Sequence, residues 1–142
     1  MVNSMIKADL IRQIRVTKDM VEAFAKATGD YNPIHVDEAY AKATRFGKTI
    51  AHGALIGGLI SSLLVEAYGE GTIYVSTNLN FRRPVGVGEN IIVSLTTSPS
   101  IFDIIEERKF QNIEVLVANK AGEIAVSGRA EIIPGNKENN ND

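Results

Sequence analysis

His35 and His52 are the only imidazoles in the chain, and each stands among small or turn-forming residues instead of on a regular apolar face. Loops held by a rigid scaffold are where functional side chains concentrate. His35 closes the segment Asp30-Tyr31-Asn32-Pro33-Ile34-His35, so a carboxylate and an imidazole flank an Asn-Pro turn. Such a turn can bring both groups to one small volume. Two acid/base groups facing one water let one accept a proton while the other delivers one, which is what hydration of a double bond requires. The plainer reading is that Asp30 caps the turn and Asn32 makes an Asx-type bond.

Gly53 follows His52 and opens a long apolar stretch. A backbone N–H at a helix N-terminus, with no side chain in the way, suits an oxygen that gains negative charge during a reaction. A simple helix-start glycine is the alternative. His35, Asp37 and His52 also match the two-histidine, one-carboxylate ligand set of a metal site. Asp37 is accounted for as a helix cap, however, and the three lie too close in sequence for the β scaffold that usually separates such ligands. At Phe81-Arg82-Arg83-Pro84-Val85, adjacent arginines at a strand end can meet phosphates. They can equally be a solvated strand end with one side chain on the binding face.

The elements that must position these residues follow from pattern. Leu10 to Val16 alternates loosely and suggests a strand. Thr17 is a plausible N-cap with Asp19 in the first turn, and Met20, Val21, Phe24 and Ala27 give the next helix its apolar face up to a stop at Gly29. Asn-Pro disfavours helix before the proline, so Asp30 to His35 reads as a tight loop. Asp37 caps a short helix through Ala43, and a loop from Phe46 to Ala51 leads to a helix from Gly53 to about Tyr68. That helix is apolar nearly all round and should be buried. Beyond Thr72 the texture is β-rich: Ile73 to Phe81, Asn90 to Thr97, Ile101 to Ala118 and Glu123 to Ile133, with turns at Val85–Gly88, Ser98–Ser100 and Asn119–Gly122. A buried helix wrapped by a curved antiparallel sheet satisfies both halves of this pattern, an α+β arrangement.

At 142 residues, 44% hydrophobic and 23% charged, the chain fits one domain with a sizeable core. Residues 1–134 form that domain, and the polar run 135–142 is expected to be disordered. A net charge of −2 gives no electrostatic reason to expect nucleic acid or an anionic membrane as partner. The absence of cysteine removes disulfides, thiolate zinc sites and a cysteine nucleophile together. The N-terminal stretch lacks a signal-type apolar core, and Ala54 to Val65 is too short to span a bilayer. A cytoplasmic location is expected, with an organelle left open.

In this order, the pieces resemble the MaoC-like, (R)-specific enoyl-CoA hydratase family, also called hydratase 2. The resemblance is carried by Phe24-Ala-Lys-Ala-Thr-Gly-Asp-Tyr-Asn-Pro-Ile-His-Val-Asp-Glu-Ala-Tyr-Ala, by Ile50-Ala-His-Gly-Ala and by Leu79-Asn-Phe-Arg-Arg-Pro-Val, and it spans roughly Ile14 to Ile133. It implies a hot-dog fold, usually paired into a homodimer. It also implies that Asp30 and His35 hold and activate a water, that Asn32 helps orient them, and that the Gly53 N–H polarises a thioester carbonyl. Water would add across a trans-2 double bond to give an (R)-3-hydroxyacyl thioester, with no metal or redox cofactor. Ser61 and Leu64 correspond to positions lining the acyl pocket in similar proteins, although simple core packing explains them as well. Ala54 departs from the larger residue, such as Met, common after His-Gly. The carrier stays open between coenzyme A and acyl carrier protein, where Arg82 and Arg83 would meet an acidic protein surface. The alternative of another class is a thioester-binding hot-dog domain without turnover.

Overall fold

The computed structural model describes residues 7–98 and 110–136. Strand β1 (Leu10–Arg15) precedes helix α1 (Lys18–Thr28), two short helices α2 (Pro33–Val36) and α3 (Glu38–Lys42), the long helix α4 (Gly53–Tyr68), and strands β2 (Ile73–Phe81), β3 (Asn90–Ser98), β4 (Gln111–Asn119) and β5 (Ile124–Ile133). One five-stranded antiparallel sheet contains every strand among the described residues, in the order β1-β3-β4-β5-β2. This is the expected α+β hot-dog arrangement. The four strands after α4 are contiguous in the sheet but not in chain order, because β2 pairs with β5 and forms one edge. The segment after β2 therefore has to reach past β5 and β4 before β3 begins.

Alternation explains the inner face. Ile91, Val93 and Leu95 on β3, and Ile113, Val115 and Val117 on β4, are buried at every second position. Against them lies α4, with Leu55, Ile56, Ile60, Leu63, Leu64, Ala67 and Tyr68 buried. Burial of each of its fully enclosed isoleucine and leucine side chains contributes about 1.5–3 kcal/mol before the entropy of ordering is charged against it. The helix is not enclosed all round: Ala54, Gly58, Ser62 and Val65 lie on an exposed face. At its far end the Tyr68 hydroxyl donates to Asp9 Oδ2 at 2.8 Å, and the same oxygen accepts from the Thr97 N–H at 2.7 Å. Burial, reinforced by Asp9, pushes the Tyr68 pKa well above the usual phenol range despite an opposing effect from Thr97.

Helix α1 starts as expected, with the Met20 N–H donating to Thr17 Oγ1 at 3.2 Å, and ends at Gly29 in the left-handed region with φ of 82°. Its buried positions are Val21 and Ala25, with Met20 and Phe24 packed beside them, whereas Ala27 is exposed. Ala27 is six residues beyond Val21, which turns it off the face; Ala25, at i+4, is on it. Asp30 to His35 is not purely a loop. Asn32 keeps non-helical geometry, as the following proline favours, but serves as N-cap of α2, with Pro33 at the first helical position where its missing N–H costs nothing.

Asp37 caps α3 through Oδ1, which accepts from the Tyr40 N–H at 3.0 Å. The expected strand from Ile101 is described only from Gln111 onward; Ile101 to Lys109 lie outside the described residues. Of the expected tail, the Gly135 N–H donates to Thr72 Oγ1 at 3.1 Å and the Asn136 N–H to the Glu70 carbonyl at 2.9 Å, while 137–142 lie outside the described residues.

Candidate active site

The Asn-Pro turn carries Asp30 and His35 as the spacing suggests. The Asn32 N–H donates to Asp30 Oδ1 at 3.3 Å, while Asn32 Oδ1 accepts from the Ile34 N–H at 3.4 Å and the Asn32 carbonyl from the His35 N–H at 2.9 Å. Asn32 thus ties the carboxylate to the one-turn helix that bears the imidazole. It does so through its backbone and its cap.

His35 is oriented from a distant part of the chain. Its Nδ1 lies 2.7 Å from the Ile50 carbonyl. A carbonyl only accepts, so Nδ1 carries the proton and Nε2 keeps a lone pair in the neutral ring. Ile50 is itself held on two sides: its N–H donates to the Ile34 carbonyl at 3.1 Å, and it bridges to Gly86 across the 85–88 turn. Flanking bonds run from the Ala51 N–H to the Val85 carbonyl at 2.8 Å and from the Val87 N–H to the Thr49 carbonyl at 3.0 Å. Glu89 reinforces the clip, accepting from the Gly86 N–H at 3.0 Å and pairing with Lys48. Burial alone would raise the Glu89 pKa, but the Lys48 ammonium and the Gly86 N–H together hold it below the usual carboxylate range.

His52 proves to belong to the same cluster, a part the sequence did not assign to it. It is the N-cap residue of α4 and only 2% exposed. Its Nε2 lies 2.9 Å from the Asp30 carbonyl, so Nε2–H donates and Nδ1 is the lone-pair nitrogen; that nitrogen is buried and has no hydrogen-bond partner among the described residues. Its ring lies 3.9 Å from the His35 ring at 31°, with Phe24 on it at 4.7 Å. One buried imidazole therefore touches both members of the expected pair. The available signal was a histidine set directly before a helix-opening glycine within an apolar run.

Ligating atoms of Asp30, His35 and His52 all lie within 4.8 Å of one another, so the carboxylate beside the two imidazoles is Asp30, not Asp37. The set is compact enough to share a cation. One nitrogen of each ring, however, is engaged by a backbone carbonyl, His35 Nδ1 by Ile50 and His52 Nε2 by Asp30.

Beside the cluster opens a cleft of about 400 Å³ lined by His35, Ile50, Gly53, Phe81 and Val85 among others, and by Arg45, Arg82 and Arg83. Gly53 is the first residue of the 16-residue α4, and its N–H makes no hydrogen bond among the described residues. A Cβ there would sit 3.0–3.3 Å from the Phe81 ring, so glycine keeps this approach open. Arg82 and Arg83 both line the cleft but are already engaged: Arg82 Nε donates to Ser127 Oγ at 2.7 Å, and Arg83 pairs with Glu123 at 3.2 Å. Ser61 and Leu64 are not among the lining residues. Leu64 is a core residue at 1% exposure, and Ser61 is half-buried two turns beyond Gly53.

A helix cradled by an antiparallel sheet, with Asp30, His35 and His52 gathered at the start of that helix, defines a hot-dog protein. Residues 5–123 match the model of the MaoC like domain, and the chain belongs to that family. It is 36% identical over 124 residues to the 3-hydroxybutyryl-CoA dehydratase of Methylorubrum extorquens, covering 87% of this chain and 76% of that protein. It is 34% identical over 113 residues to the (R)-specific enoyl-CoA hydratase of Aeromonas caviae, covering 79% and 81%. Among solved structures, R-hydratase PhaJ1 from Pseudomonas aeruginosa superposes with a TM-score of 0.79 at 35% identity, covering 88% of this chain and 78% of that one.

Proposed function

We propose that this chain is a hydro-lyase that adds water to the double bond of a trans-2-enoyl thioester to give the (R)-3-hydroxyacyl thioester, and that dehydrates in reverse with the same groups. The observation that carries this reading is the close approach of the Asp30 carboxylate and the His35 imidazole beside a cleft that presents an unpaired Gly53 N–H. A water held between the two groups loses a proton to one of them as its oxygen bonds C3. Electrons move from the C2–C3 double bond toward the thioester, whose oxygen takes up negative charge at the Gly53 N–H, where the α4 dipole favours it. C2 then receives a proton from the site, and the group that took the water's proton is restored. The 3-hydroxybutyryl-CoA and enoyl-CoA named for the relatives above point to the same reaction class.

The acyl chain would run from Gly53 along the α4 face containing Gly57 and Ser61, which are half-buried and small. Leu64 would close that path from the core side. Two copies are proposed to pair across the β2 edge, where Ile73, Val75 and Phe81 are 54%, 42% and 55% exposed, together with the uncovered face of α4. Among the described residues, no helix is long and apolar enough to cross a membrane.

The direct test is loss of the enoyl-thioester absorbance of crotonyl-CoA and longer homologues, with chiral analysis of the product. An (R)-3-hydroxyacyl product is expected. No turnover at any chain length overturns the reading, and tight binding without product would make the protein a thioester-binding domain. Within the same assay, His52→Phe keeps the stacked ring but removes the donor to the Asp30 carbonyl. Because a small misplacement of a reacting group costs up to about 10²-fold, kcat should fall by roughly 10-fold to 10²-fold, with KM little changed. An unchanged kcat would reduce His52 to packing.

A further inference from the structure

Resting on the enoyl-thioester reading, the structure assigns to Arg45, seated on Phe46, the binding of the nucleotide phosphates of coenzyme A. Among the described residues, three arginines line the cleft that also holds His35 and Gly53, and no aspartate or glutamate does. The chain as a whole carries a net charge of −2, so this is a local concentration of cations and not a general property of the surface.

The three arginines differ in what they have left to give. Arg83 is neutralised by Glu123 at 3.2 Å. Arg82 is fixed by Ser127 Oγ at 2.7 Å, a neutral partner that holds its position and leaves its charge. Arg45 has no carboxylate partner among the described residues; its guanidinium carbon lies 4.8 Å from the centre of the Phe46 ring. Lys48, its neighbour on the same loop, is already spent on Glu89.

An arginine lying over an aromatic face is held by its plane while its N–H edges stay free, the geometry that meets a phosphate with two parallel hydrogen bonds. Its exposed position on the loop between α3 and α4 lets a polyanion approach without first burying an unpaired charge. Coenzyme A fits this better than an acyl carrier protein does. Its phosphates are small groups that can enter a concave cleft, whereas a protein partner needs a broad cationic surface, and here Lys48 and Arg83 are both neutralised. The phosphate contact thus falls to Arg45, with Arg82 in support.

Initial rates on one short enoyl group carried by coenzyme A, by pantetheine without phosphates, and by acyl carrier protein test this. A hydrogen bond between charged groups lost from binding corresponds to about 10- to 100-fold in affinity, so Arg45→Ala should raise KM for the coenzyme A thioester by roughly that factor. The effect should be confined to the phosphate-bearing substrate, and Arg45→Lys should restore part of it. Added salt should raise the wild-type KM for the coenzyme A thioester and leave that for the pantetheine thioester in place.

An unchanged KM for the coenzyme A thioester in Arg45→Ala overturns the assignment. So does an equal loss on the pantetheine thioester, or an Arg45 dependence confined to the carrier-protein substrate. If the wild type turns over none of the three, the hydro-lyase reading fails separately. Calorimetric titration of wild type and Arg45→Ala with free coenzyme A and with pantetheine then decides the Arg45 assignment by itself, with phosphate-dependent binding lost in the variant supporting it and equal binding overturning it.

Discussion

Replacing His35 by alanine, or Asp30 by asparagine, is expected to lower kcat for enoyl-thioester hydration by about 10²- to 10⁴-fold, the range that positioned acid/base groups supply. The two changes fail for different reasons. Asp30→Asn keeps an oxygen that can accept from the Asn32 N–H, as Asp30 Oδ1 does at 3.3 Å, so the turn should persist while the proton-accepting capacity disappears. His35→Ala removes the Nε2 lone pair and strips the Ile50 carbonyl of its side-chain donor, held at 2.7 Å, at a cost of about 1 kcal/mol in stability. Circular dichroism and urea unfolding separate that modest loss from the kinetic one. If the pair acts as a unit on one water, the double variant should be little worse than the more damaging single one. Multiplying losses would mean two independent roles. A decrease of less than about tenfold in both single variants would remove proton transfer from these residues.

Asp30 and His35 were legible because their spacing and the Asn-Pro between them are local, and a local turn brings local groups together. What orients His35 was not, since the Ile50 carbonyl is placed by a bridge to Gly86 that no short window of sequence contains. The same is true of the arginines. Phe81-Arg82-Arg83 announces a cationic strand end, but the partners that engage it, Ser127 and Glu123, come from the far side of β2–β5 pairing. His52 stood out as an imidazole at a loop–helix junction and as a possible metal ligand with His35 and Asp37, but its bond to the Asp30 carbonyl did not, because a buried imidazole with a backbone partner has no periodic signature. The apolar character of α4 revealed its burial but not its uncovered side, where Ala54 and Gly58 are as compatible with a core as with an interface. Alternation in the strands was readable, and their order was not: β2 beside β5 is a matter of chain path.

Gly128→Ala should be the most damaging methyl in the sheet. Gly128 lies on β5 between Val115 of β4 and Leu79 of β2, in line with the buried Val126 and Ala130. A Cβ there would come 2.0 Å from the Asn78 carbonyl oxygen, and the obstructing atoms are backbone, which cannot rotate away as a flexible side chain does. Relief requires β2 to move off β5. Overpacking a tight site costs about 1–3 kcal/mol and occasionally more, and the upper end is expected here, a fall in Tm of roughly 10 °C. The displacement would also reach the cleft, because β2 ends at Phe81, whose ring stands against Gly53, and hands the chain to Arg82. Lost activity should therefore accompany lost stability, with KM and kcat both affected. Gly58→Ala, on the exposed face of α4, is the matched control: an added Cβ meets nothing within 4 Å in the single chain, and a helical Gly→Ala change stabilises by about 0.5–1 kcal/mol. A stable Gly128→Ala protein would show that β2 can shift freely. A destabilised Gly58→Ala protein would show that a second copy packs on this face of α4 too closely to admit a methyl group.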